Sequence, residues 1–176
     1  LSGFNTHADV MGQPGDNLAG DIFLGYSTWI WGNMHKLTGG QPGYRYRYCH
    51  PRPDMVLKDK VAGLAGGVQE KTSDSPAVPR ALGAVHSADI EYAMGTLPTN
   101  RVYDWQPEDY VISDIFSNYY VNFVKTGNPN GLGLVEWPTT NGKTIAPVLQ
   151  IDANTFVKED PNMEKRYEIM DGLFWK

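Results

Sequence analysis

Cysteine is nearly absent from this chain, since Cys49 is the only one among 176 residues. An internal disulfide is therefore excluded, while the redox compartment stays open because bridges could lie elsewhere in a longer parent protein. Apolar runs are also short, and none approaches the roughly 20 residues of a membrane-spanning helix. The net charge of −5, with scattered Lys and Arg, offers no cationic surface. The sequence thus predicts neither a membrane span nor nucleic-acid binding.

An initiating methionine and a signal peptide are missing too, because the chain opens at Leu1 with a polar stretch. We expect this start to be a cut edge within a longer polypeptide. Internal repeats and low-complexity segments do not occur. Aromatic residues, in contrast, are plentiful, with five Trp and ten Tyr, and such large rigid side chains suit a sizeable core or a lined gorge.

Three helices are predicted where apolar residues recur about every 3.6 positions. They cover residues 16–40, 105–126 and 160–174. Asp16 and Asp160 can cap the first and the third, while Pro107 suits the first turn of the second and Gly127 supplies its left-handed stop. The expected apolar stripes are, in chain order, Leu18, Ile22, Trp29 or Ile30, Met34 and Leu37; Ile112, Phe116, Tyr119 and Phe123; and Met163, Tyr167, Met170 and Phe174.

Two strands are predicted as well. Residues 44–49 alternate aromatic and charged side chains, which indicates a strand with one buried face, and its Arg45 and Arg47 are expected to meet solvent or an ion-pair partner. A short strand at 148–151 follows a predicted hairpin at Asn141-Gly142. Pro147 limits that strand to a sheet edge or to beginning at the proline.

Residues 54–80 are rich in Gly, Pro, Ser and Thr, which predicts a long loop with at most one short helix and a possible role as a lid. The order is therefore helix, strand, long loop, helix, edge strand, helix. A lone central strand cannot form a stable sheet without partners that this chain lacks. The pattern predicts a fragment of a larger domain.

Four histidines occur, and their spacing forms no HxxxH or HExxH pair. Cys49-His50 lacks further ligands, so a metal site is not expected. His7 lies in a polar loop, and His35 and His50 are expected at ordinary surface positions. His86 stands among small residues, which leave room for a reacting partner group. From composition alone, a hydrogen-bonded loop histidine remains the commoner interpretation of His86.

The segment around His86 reads Gly-Ala-Val-His-Ser-Ala-Asp-Ile-Glu-Tyr-Ala-Met-Gly over residues 83–95. It resembles the histidine loop of type-B carboxylesterases and cholinesterases, including the para-nitrobenzyl esterases, which runs Gly-x-x-His, two residues, an acid, an aliphatic residue, Glu, an aromatic and Phe-Gly. Met94 replaces the usual Phe, a volume-conserving difference. Further parts of the family pattern are matched in the same order by residues 43–48, 120–131, 137–138 and 174–175.

The resemblance implies the C-terminal portion of an α/β-hydrolase fold and a carboxylic ester hydrolase with a Ser-His-acid triad. His86 would be the catalytic base, because an imidazole can both take and return a proton. No Gly-x-Ser-x-Gly elbow is present, so the N-terminal part of the same protein would supply the serine and the acid; Asp9 and Asp16 do not match the acid's turn. The resemblance implies a small-molecule ester substrate, no cofactor, and a secreted or periplasmic location.

Two acidic residues beside His86 match the family pattern. Asp89 corresponds to a position that belongs to a buried network near the histidine, and capping of the turn is an equally good interpretation. Glu91 is expected to be structural.

Two other functions stay open. A non-catalytic cholinesterase-like interaction domain would lack the serine elbow upstream. A carbohydrate-binding module would show an all-β pattern, whereas residues 107–126 indicate a helix.

Overall fold

The structure is a computed structural model that describes residues 18–62, 68–72, 83–141, 143 and 145–174. Its helices are α1 (Tyr26–Thr38), α2 (Ile90–Ala93), α3 (Pro107–Thr126) and α4 (Pro161–Phe174), with a π-helical turn at Asp21–Gly25 and a 3₁₀ turn at Leu97–Thr99. Its strands are β1 (Tyr46–Tyr48), β2 (Lys60–Ala62), β3 (Val68–Glu70), β4 (Pro147–Ile151) and β5 (Phe156–Glu159). Within these described ranges no helix is long and apolar enough to cross a bilayer.

Strand β4 is the middle strand of a three-stranded sheet with the order β1-β4-β5. The N–H of Leu149 donates to the carbonyl of Arg45 at 2.9 Å, and all five residues of β4 are buried. Both predicted strands are confirmed, but the expectation that this chain lacks sheet partners for the first of them is wrong, because β4 pairs with β1. The predicted edge position is wrong, while the start at Pro147 is correct, because the first residue of a strand can do without a ladder N–H.

A hairpin lies inside the region predicted as a long loop. Strands β2 and β3 pair antiparallel, with Lys60 opposite Glu70, and the side chains of these two residues form an ion pair. Earlier in the same region, Met55 forms an isolated bridge with Tyr103. The loop prediction therefore misses this regular structure, because glycines lie between the two short strands and prolines follow them. Residues 63–67 and 73–80 lie outside the described residues, and the lid stays a prediction.

The chain divides into two compact units, one of residues 1–47, 137–149 and 157–176, the other of residues 48–136 and 150–156. The core of the first unit joins α1, β4 and α4 through Tyr26, Val148, Met163, Tyr167 and Met170. The second unit buries the apolar faces of α2 and α3, with Tyr92, Leu97, Ile112, Phe116 and Tyr119 at 1% exposure or less.

The first predicted helix is confirmed, since the chain is helical from Leu18 through the π-helical turn to Thr38. Its predicted apolar stripe is only partly buried, because Trp29 and Ile30 pack against the core whereas Ile22 and Leu37 are 58% and 79% exposed. The buried side also carries Asp21, whose carboxylate accepts hydrogen bonds from Tyr167 Oη at 2.7 Å and from Arg166 Nε at 2.9 Å. The proposed cap, Asp16, lies outside the described residues.

The second predicted helix, α3, has the expected start and stop. Gln106 is its N-cap and forms a capping box with Asp109, and Gly127 ends it in the left-handed region at φ 75°. Of the predicted stripe, Ile112, Phe116 and Tyr119 are fully buried, whereas Phe123 is about half exposed.

Helix α4 is confirmed by its cap, because Asp160 Oδ1 accepts the N–H groups of Asn162 and Met163 at 3.1 Å. Phe174 at its far end is exposed, unlike the other three residues of the predicted stripe. The Asn141-Gly142 hairpin stays a prediction, since Gly142 lies outside the described residues.

Arg45 has the ion-pair partner that the sequence led us to expect. Its Nη1 lies 3.2 Å from Glu164 Oε1, and the other oxygen of Glu164 accepts a hydrogen bond from the Trp29 indole. Burial lowers the pKa of Arg45, and the negative charge of Glu164 opposes that change. Arg47 is exposed to solvent, which is one of the two environments that the sequence predicts for the arginines of this strand. The pair at Arg45 thus ties β1 to α4 within the first unit.

Gly25 marks a close approach between the helical segment before α1 and α4. An added Cβ would lie 2.5 Å from Tyr167 Oη, which is buried and already donates to Asp21. We expect Gly25→Ala in the full-length protein to lower the free energy of unfolding by about 1–3 kcal/mol, because this hydroxyl cannot move without losing its acceptor. Denaturant titration measures the change.

Gly20→Ala is the matched control, since a Cβ at Gly20 would meet nothing within 4 Å. It should raise the free energy of unfolding by up to about 1 kcal/mol through helix propensity. Equal effects of the two alanines would contradict the close approach at Gly25.

Candidate active site around His86

His86 lies on a turn over residues 86–89 that leads directly into α2. Its side chain is exposed, whereas Ala88, two residues further on, is completely buried. The N–H of Ala88 donates to the carbonyl of Val85 at 3.1 Å and closes the turn. The imidazole is therefore carried at the surface by a backbone that is anchored in the core.

Ser87 has an unusual backbone conformation for a residue with a side chain. Its φ is 62°, and among the described residues it alone adopts a positive φ without being glycine. The left-handed conformation costs an L-residue about 1–2 kcal/mol, and such strain is often found at functional sites. This conformation turns the chain sharply immediately after His86.

Arg52 contacts the His86 turn from the segment that follows β1. Its Nη2 donates to the carbonyl of Ser87 at 2.7 Å and lies 3.0 Å from Glu91 Oε2. Its Nη1 donates to Tyr103 Oη at 3.1 Å. Glu91 is structural, as expected from the sequence. Arg52 was missed there, because its position between two prolines gave no sign of a partner 35 residues away.

Asp89 occupies the N-cap position of α2. Its carbonyl accepts the N–H of Ala93 at 2.9 Å, but its side chain forms no capping hydrogen bond. Helix α2 is thus not capped by the Asp89 carboxylate, and the expected capping of the preceding turn stays a prediction. Membership of a network near His86 stays a prediction.

His50 is not the ordinary surface residue that the sequence led us to expect. Its Nδ1 lies 3.0 Å from Asp152 Oδ1 and its Nε2 lies 3.1 Å from Asp109 Oδ1, while its side chain is only 13% exposed. His50 thus links the end of β1 to the start of α3 and to the segment after β4. His35, in contrast, is exposed on α1 as predicted, and His7 lies outside the described residues.

Tyr92 lies in α2, the helix that follows the His86 turn. It is fully buried, packs against Tyr48 and edge-on against Trp105, and its hydroxyl donates to Asp109. Burial, and then this hydrogen bond, raise the pKa of Tyr92 well above its ordinary value, so its hydroxyl keeps its proton. Ser113 Oγ donates to the carbonyl of Tyr92 at 2.9 Å. These contacts fix α2 to α3.

Several known proteins are similar to this chain over most of its length. Residues 7–170 match the model of the carboxylesterase family. The chain is 29% identical over 160 residues to carboxylesterase 4A of Bos taurus, covering 91% of this chain and 24% of that protein. It is 32% identical over 125 residues to the medium-chain fatty acyl-CoA hydrolase precursor of Anas platyrhynchos, covering 70% of this chain and 18% of that protein.

Among solved structures, an esterase from the anaerobe Clostridium hathewayi matches with a TM-score of 0.50 and 17% identity, over 73% of this chain and 20% of the esterase chain. This similarity shows the fold alone. The chain forms part of an α/β-hydrolase fold. The chain spans about a quarter or less of the length of these relatives. Since the family model covers nearly all of it, the chain belongs to the carboxylesterase family.

Proposed function

We propose that the full-length protein containing this chain is a serine-dependent carboxylic ester hydrolase, and that His86 is its catalytic base. The observation that carries the proposal is the place of His86. His86 matches the histidine of the family's loop by sequence resemblance, and it is exposed on a turn whose Ala88 is buried. Because the ring is exposed, a nucleophile can reach it. Because its backbone is anchored, the orientation of the ring is restricted.

In the proposed reaction a serine hydroxyl attacks the ester carbonyl while His86 takes the hydroxyl proton. The tetrahedral intermediate collapses as His86 returns that proton to the leaving alcohol, which leaves an acyl-serine. Water, deprotonated by the same imidazole, then releases the carboxylic acid and restores the serine. The serine, the triad acid and the amides that stabilise the oxyanion are assigned to the polypeptide that precedes this chain.

The substrate is proposed to be a small-molecule carboxylic ester. Support comes from family membership and from the names of two relatives, a carboxylesterase and a fatty acyl-CoA hydrolase, which both describe transfer of an acyl group to water. Asp89, three residues after His86, is proposed to support the orientation of the turn without touching substrate.

Hydrolysis of p-nitrophenyl butyrate tests this proposal. The full-length protein should hydrolyse the ester and react with a fluorophosphonate probe at one serine. The present chain alone should do neither, because it contains no elbow serine to attack the carbonyl or the phosphorus. A full-length protein that neither hydrolyses the ester nor takes up the probe would instead support the non-catalytic interaction domain.

A further inference from the structure

The guanidinium of Arg52 joins the His86 turn to the rest of the second unit. One nitrogen, Nη2, donates both to the carbonyl of Ser87 and to the carboxylate of Glu91. The same group lies over the ring of Tyr103, with Cζ 5.0 Å from the ring centroid. The Arg52 side chain is only 12% exposed, so water competes weakly for these contacts. A flat, forked cation in this setting holds its partners in one geometry.

Glu91 fixes Arg52 in turn, because both of its carboxylate oxygens are occupied. Oε2 pairs with Arg52, and Oε1 accepts a hydrogen bond from Asn100 Nδ2 at 2.8 Å. The amide oxygen of Asn100 accepts the N–H of Val102 at 3.0 Å, which determines which way the amide points. A continuous set of hydrogen bonds therefore runs from the N–H of Val102 through Asn100, Glu91 and Arg52 to the carbonyl of Ser87.

The carbonyl of Ser87 is important because Ser87 directly follows His86 and has the strained left-handed backbone conformation. A left-handed serine is less stable than one in the ordinary conformation, so the turn needs contacts from other residues to persist. A charge-assisted hydrogen bond from a largely buried arginine contributes stabilisation of a size comparable to this cost. The backbone of this turn carries the imidazole of His86, so a contact that holds the Ser87 carbonyl also limits where the ring can lie.

We propose that Arg52, held by Glu91, is a positioning residue for His86, an inference that rests on the proposed function. Arg52 acts on the Ser87 carbonyl and keeps the imidazole aimed at the serine and at the leaving oxygen. It does not touch substrate. Misplacement of a reacting group by about 1 Å can cost about 100-fold in rate, so loosening of this turn should be visible in turnover.

The test compares Arg52→Lys and Glu91→Gln with the wild type in the full-length protein. Lysine keeps the charge but cannot reproduce the forked contact, and glutamine keeps the shape but loses the charge. Two butyrate esters are used, ethyl and p-nitrophenyl. The ethoxide leaving group needs a proton from His86, whereas p-nitrophenolate leaves almost without one.

We expect kcat/KM for the ethyl ester to fall about 100-fold and for the p-nitrophenyl ester only about 10-fold in each variant. A purely structural defect would reduce the folded fraction and so lower both values by the same factor. The double variant should lose no more than the worse single variant, because the two residues act through one contact. Arg101→Lys, at an exposed arginine of the same unit, should change neither value.

The possible failures are separable. A wild type without hydrolysis overturns the proposed function, and the positioning role with it. A wild type that depends on His86, combined with Arg52 and Glu91 variants within twofold of it, overturns the positioning role and leaves the proposed function standing. Equal losses on the two esters also overturn the positioning role, since Arg52 would then support the fold alone.

Discussion

Replacing His86 by alanine in the full-length protein is expected to lower ester turnover by about 10³-fold or more. Without the imidazole, the serine keeps its proton and attacks slowly, and the leaving alcohol departs without one. The turn should survive the replacement, because Ala88 is buried and Arg52 holds the carbonyl of Ser87. The loss should therefore appear in kcat, with little change in the amount of folded protein.

Initial rates on p-nitrophenyl butyrate measure this loss, and thermal unfolding measures the folded state alongside. His35→Ala is the matched control, since His35 is an exposed histidine on α1 that the mechanism does not use. It should retain near wild-type turnover. Activity within tenfold of wild type in His86→Ala would remove His86 from the mechanism, and the esterase would then need another base.

Asp109→Ala is expected to lower the free energy of unfolding by about 3–5 kcal/mol, the cost of removing one partner from a buried charged network. Asp109 is 1% exposed, and its Oδ1 accepts hydrogen bonds from His50 Nε2 and from the Tyr92 hydroxyl. Its Oδ2 accepts the N–H of Gln106 at 2.6 Å in the capping box of α3. Alanine leaves these donors unpaired in the interior and removes a helix cap as well.

Denaturant titration of the full-length protein measures the difference. The control is Asp114→Ala, because Asp114 is an exposed aspartate later in α3. This substitution should change the free energy of unfolding by no more than about 0.5 kcal/mol. Asp109→Asn should fall between the two, because the amide oxygen can still accept while the charge is gone. A loss below 1 kcal/mol for Asp109→Ala would mean that water satisfies the donors instead.

The elements that the sequence predicted correctly are those whose signals are local. Pro107 indicates the start of helix α3 and Gly127 indicates its end. The buried residues of this helix recur with the helical period. The residues of β1 alternate between aromatic and charged side chains, which is also a local signal. Short elements were missed, because the three residues of β2 carry too little pattern to stand out from the glycines and prolines around them.

The side-chain partners around the site could not be predicted in the same way. His50 pairs with Asp109 and Asp152, which lie 59 and 102 positions away along the chain. Arg52 meets Ser87 and Glu91 across the 35 and 39 positions between them. Such contacts depend on how the chain folds back, and a single sequence records neither the distance nor the direction. His86 could be singled out because its neighbours form a contiguous motif.

The backbone conformation of Ser87 has a consequence for the natural variation of this chain. At φ 62°, Gly, Asn and Asp replace serine with little penalty, whereas β-branched residues such as Val and Ile clash with their own backbone. Half-buried surface positions usually accept many substitutions, but this one is restricted by its peptide geometry. In related sequences that keep this turn, position 87 should therefore vary only among a few small or amide-bearing residues.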